Sequence, residues 1–230
     1  MTLVTAESKL CDIILEEPSI VPVINRFGIS LGVGDKTIEN ICMEKCIDLK
    51  FFLTILNAFI FDSFYPNTEF DSFGAQEVID YLQKTNQSYL RFQLPNIERH
   101  FNALISISDK NNNLALLLNL YNEVREELVQ RIENDSRTWF AEILRQEKTV
   151  ASNSISIEIE ETTESDSIED KLSDLKNMFV IHLRGNYDTN LCHAVLFAII
   201  SLEKDIKQNN RIRNRILYPL SEAIKRANNK

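Results

Sequence analysis

From Ala75 to about Ser108 apolar residues recur at helical spacing, at Val78, Leu82, Tyr89, Phe92, Ile97, Phe101 and Leu104. A period near 3.6 predicts one long amphipathic helix, which Pro95 kinks rather than ends. The same pattern predicts a second helix from Leu114 to about Arg145, a third from Ile168 to about Leu183, and a fourth from Leu191 to near Ala227 after the turn RGNYDTN. Ahead of them, residues 1 to about 62 read as shorter helices. One runs from Glu7 to Glu16, a second is begun by Pro18, a third starts at Lys36, and a fourth is the apolar run LKFFLTILNAFIFDSF. Pro18 suits a first helical turn, and the Gly-containing FGISLGVGDKT breaks the second from the third.

The turn-rich segment YPNTEFDSFG separates these two parts, which gives an expected small N-terminal domain over 1–66 and a four-helix domain over 74–230. Within the latter, the polar and acidic stretch at about 148–167 reads as a loop, although SISIEIE alternates and is compatible with a strand. The fold class expected is all-α, an up-down four-helix bundle behind a helical cap.

Two of the long helices carry an apolar stripe that polar residues interrupt. In the second, Leu114, Leu117, Tyr121, Val124 and Leu128 are followed on the stripe by Arg131 and Asp135. In the fourth, Ala198, Ile199, Leu202 and Ile206 give way to Asn209 and Arg213 before Ile216 and Leu220 resume it. Residues four apart share a helical face, so each pair is expected to point into the bundle, the geometry by which many bundles hold a metal.

Composition narrows the rest. Only five glycines and five prolines occur in 230 residues, the usage of helices joined by few turns, and a chain of this length needs neither metal nor disulfide to support a core. A net charge of −9 argues against a nucleic-acid backbone as partner. Four cysteines, Cys11, Cys42, Cys46 and Cys192, are too few for a secreted disulfide scaffold and read as reduced thiols. The start MTLVTAESKL lacks a basic, apolar leader, and CHAVLFAIISL is too short to span a bilayer, so a cytoplasmic location without membrane contact is expected.

The ordered segments resemble the bacterial iron-sulfur cluster repair family, in which a small N-terminal domain named after ScdA precedes a hemerythrin-like bundle holding two irons. VINRFGISLGVGDKTIENIC is similar to the segment carrying that family's Cys-Cys-Gly-Gly turn; Gly32 and Val33 stand at the paired cysteines and Cys42 at a later one. ELVQRIENDSRTWFAEIL resembles a His, Glu, Phe-Pro motif, with Arg131 at the His, Asp135 at the Glu and Ala141 at the Pro. DIKQNNRIRNRILYPL resembles its second copy, with Asn209 at the His, Arg213 at the Glu and Pro219 retained. Asn86, upstream of LRFQLP, falls at a further ligand His, and Ser165, before IEDKLSDLKNMF, at the third-helix one.

What the resemblance implies for this chain is the fold without the iron. Arginine is a permanent cation with no lone pair for a metal, and of the six matched positions only Asp135 retains a good ligand. No resident cofactor is therefore expected, the alternative being a non-haem di-iron centre. Arg131, Asp135 and Arg213 are expected to form a salt-bridge cluster, completed by a further carboxylate, an anion or water, because an excess buried cation is costly. An anion pocket formed by Arg131, Arg213, Asn86 and Asn209 is the functional alternative.

Other residues carry less. His100, His182 and His193 read as core or interface residues, although His182 lies near the inward stripe of the third helix. Cys42 and Cys46 lack second-half ligands, and GVGDKT lacks the phosphate-loop spacing, so it reads as a helix-capping turn. The basic residues Lys207, Arg211, Arg215, Lys225 and Arg226 read as complements to a helix C-terminus. No nucleophile-base arrangement with convincing context occurs. The expected function is a non-enzymatic stress-response module that binds a protein partner or a second copy, with Phe51, Phe52, Phe59, Phe61 and Phe64 as an apolar dimerisation surface. Two alternatives stand beside it: an iron-sulfur repair or nitric oxide/oxygen stress protein with an altered iron site, and an anion sensor.

Overall fold

The computed structural model describes residues 3–66, 73–109, 113–149 and 166–228. Ser165 and the SISIEIE segment lie outside them. The described residues are helical, with α1 Leu10–Glu16, α2 Val21–Arg26, α3 Ile38–Lys45, α4 Leu49–Ile60, α5 Ala75–Ser88, α6 Leu94–Ile107, α7 Leu114–Asn134, α8 Phe140–Glu147, α9 Ser167–His182, α10 Thr189–Ile212 and α11 Tyr218–Asn228. A single Lys9 to Thr37 bridge is the one β-type pairing among them. None of these helices is long and apolar enough to cross a membrane.

Three turns of π-helix join these elements, at Tyr89–Gln93, Asp135–Trp139 and Arg213–Leu217. Pro95 and Pro219 each stand two residues past such a turn, and Ala141 stands two residues past the third. Proline removes a backbone donor and crowds the carbonyl four residues back, and a widened turn relieves both. Thus Pro95 does not end its helix, as the apolar period implies, and the irregularity takes the form of a π turn.

The chain divides into two compact units, one of 1–85, 140–162 and 208–230, the other of 86–139 and 163–207. The units are drawn differently from the 1–66 and 74–230 segments expected from the sequence. Tyr81 shows why. Its ring lies 5.4 Å from that of Phe27 and 6.4 Å from that of Phe51, so α5 contributes apolar surface to the same core as α2 and α4. Phe52 closes the cluster, 4.8 Å from Phe27.

In the first unit α2 ends where Gly28 takes φ +75°: its N–H bonds Asn25 O and the Ile29 N–H bonds Ile24 O, the pairing that satisfies terminal carbonyls. Thr37 caps α3 by accepting the Asn40 N–H, as expected of the GVGDKT turn. Asn57, buried in α4, pins the chain start by accepting the Val4 N–H at 2.8 Å and donating to Val4 O at 3.0 Å. Phe51, Phe52 and Phe59 are core residues of this unit, a correction to their reading as a docking surface. They lie on the inward face of α4, whose period gives an apolar stripe without saying what covers it.

In the second unit one core draws on four helical segments. Leu94, Ile97, Phe101 and Leu104 of α6 meet Leu117, Tyr121, Val124 and Leu128 of α7, Leu172, Leu175 and Phe179 of α9, and Val195, Ile199, Leu202 and Ile206 of α10. Phe101 sits 5.5 Å from both Tyr121 and Phe179. The Tyr121 hydroxyl donates to Leu94 O at 2.8 Å, and burial raises its pKa strongly.

Candidate functional site

The structure places Asn86, Arg131 and Asp135 in the second unit and Asn209 and Arg213 in the first. Asn86, Asp135 and Asn209 are buried, and for Asp135 and Asn209 their stripe positions imply it. Arg131 and Arg213 are half-buried, and beside Arg131 it is Ile132 that continues the apolar stripe of α7. At these positions two amide atoms, Asn86 Nδ2 and Asn209 Oδ1, are buried without a hydrogen-bond partner among the described residues.

Arg131 is held by a carboxylate outside the matched set. Its Nη1 lies 2.6 Å from Asp166 Oδ2, while the other Asp166 oxygen caps α9 by accepting the Ile168 and Glu169 N–H groups. Next to it Lys171 bonds Glu127 Oε2 at 2.7 Å and Ser167 bonds Glu127 Oε1, which together hold the Glu127 carboxyl below its ordinary range. Two cations, Arg131 and Lys171, thus meet two anions, Asp166 and Glu127, and the α7 to α9 clasp is neutral. At Arg131 the paired carboxylate is Asp166.

A second buried acid of this unit was not singled out in the sequence. Asp205 of α10 accepts from Gln93 Nε2 at 3.0 Å across to the first π turn. Its signal was present: Leu202, Asp205 and Asn209 follow one another at steps of three and four.

Two residues of the basic run, Arg211 and Arg215, together with Gln208 reach carbonyls at and just past the end of α4, while Lys225 pairs with Glu222 of its own helix. Gln208 Nε2 donates to Phe59 O at 2.8 Å, Arg211 Nη1 to Ala58 O at 3.4 Å, and Arg215 Nη1 to Asp62 O at 2.6 Å and Phe64 O at 3.0 Å. Ala58 and Phe59 belong to the last turn of α4, where helical partners run out, and Asp62 and Phe64 to the segment that follows it. Arg211 Nη2 also pairs with Asp62 at 2.5 Å, and Arg215 stacks 4.2 Å over Tyr65.

The remaining candidates are dispersed. His182 is exposed rather than inward, and His193 is exposed with its ring 6.3 Å from Phe197. Cys46 is exposed past the end of α3, whereas Cys42 is buried and its thiol is pushed up to about 11 by burial and by Asp48. Among the described residues no group of three His, Cys, Asp or Glu side chains is placed to hold a metal. The di-iron centre implied by the resemblance does not fit the donors at its matched positions: guanidinium nitrogens offer no lone pair, and carboxamides are weak iron ligands.

No protein-family model, no curated protein and no solved structure matches the chain.

Proposed function

We propose that this is a degenerate hemerythrin-like protein related to the iron-sulfur cluster repair proteins, without resident iron, acting as an interaction or regulatory module in a stress response. The observation that carries the reading is the Arg131 to Asp166 pair at 2.6 Å. At a position where the resemblance expects a histidine ligand, a charge pair links two helices as a metal otherwise would. The three π turns add support, because each follows a matched position and the third is followed by Pro219, the retained proline of the motif.

Elemental analysis of protein expressed with iron tests it. Substoichiometric iron and no oxo-bridge absorption are expected; stoichiometric iron with those bands would overturn the reading. That result would favour the repair protein with an altered site.

A further inference from the structure

We propose that a groove of the second unit, between α7 and the first π turn with the start of α6, docks a basic amphipathic helix of a partner protein. The groove encloses about 460 Å³, and Leu90, Leu94, Pro95 and Val129 supply its apolar lining. It exists because the π turn carries Leu90 outward and Pro95 begins the helix beyond it: Leu90 is 38% exposed in a segment whose neighbour Tyr89 is fully buried.

The rim selects the occupant. Arg125 pairs with Glu98 at 3.3 Å across the groove, which neutralises both. Glu126 and Glu133 remain, and both are exposed on α7. The 3.8 Å contact of Glu133 with Arg137 joins two exposed side chains and is screened by water. The two carboxylates are seven residues apart, about 10.5 Å along the helix axis. A partner helix with two lysines two turns apart and an apolar residue between them matches this spacing, the apolar residue entering the groove. The net charge of −9 adds long-range attraction for a cation and none for an acidic segment.

The inference deepens the interaction-module reading but is decided separately: iron content tests that reading, and peptide binding tests this groove. The probe is a fluorescein-labelled helical Leu/Lys peptide with lysines seven apart and leucine between, titrated into the full chain by anisotropy. A scrambled peptide of the same composition is the control. Binding at least tenfold tighter than the scrambled peptide is expected. Glu126→Lys and Leu90→Ser should each weaken it about tenfold, while Asp174→Lys, an equal change of net charge on the exposed face of α9, should leave it within twofold. Equal weakening by Glu126→Lys and Asp174→Lys, equal binding of the scrambled peptide, or no binding in a protein that folds normally would each overturn the proposal.

Discussion

Replacing Ala141 with proline is expected to cost far less than proline costs elsewhere in these helices. An interior helical proline destabilises by about 3 kcal/mol, through a lost hydrogen bond and a clash with the carbonyl four residues back. In two of the π turns that geometry is already absent. The Leu94 N–H bonds Tyr89 O and the Tyr218 N–H bonds Arg213 O, each five residues back, and the residue that follows is Pro95 or Pro219. Ala141 occupies the same register after Asp135–Trp139, and its side chain is exposed, so a pyrrolidine ring meets no packed neighbour. A cost below about 1 kcal/mol is expected, offset in part by the lower entropy of the unfolded chain. The comparison is Asn119→Pro, also exposed but in the regular interior of α7. At roughly 2–4 °C per kcal/mol for a chain of this size, Asn119→Pro should lower the melting temperature by about 6–12 °C, and Ala141→Pro by less than about 4 °C. Thermal unfolding followed by circular dichroism measures both. Equal losses would refute the shared register.

Three further outcomes are expected. Asp166→Ala removes both the cap of α9 and the partner of Arg131, and should destabilise by about 2 kcal/mol in urea unfolding, whereas Asp166→Asn, which keeps a capping oxygen, should cost less. Cys46 is the one non-glycine residue with positive φ among the described residues, at +54°, so Cys46→Gly should stabilise by about 0.5–1 kcal/mol, with a fall in stability refuting the strain. The folded-state pKa of Cys42 lies near 11, above its ordinary 9.0. The folded protein therefore holds that proton longer, and the associated stability is complete below pH 9 and lost as pH rises from about 9 to 11. Cys42→Ala should flatten the stability profile across that window, and an unchanged slope would remove the argument.

The apolar period alone determined most of the helical spans of this protein. Residues at steps of three and four fall on one face whatever covers them, so the ranges 75–107, 114–147 and 167–182 are legible as amphipathic pattern. It also determined that Asp135 and Asn209 would be buried, because they continue stripes whose other members are core. The partners were decided by the tertiary structure. That Asp166 holds Arg131, that Gln208 and Arg211 bond the last carbonyls of α4 and Arg215 those just past it, and that Phe51, Phe52 and Phe59 are covered depend on contacts between residues far apart in the chain. The π turn before Ala141 is likewise not legible in the sequence: no proline stands there to announce it, as Pro95 and Pro219 do for the other two.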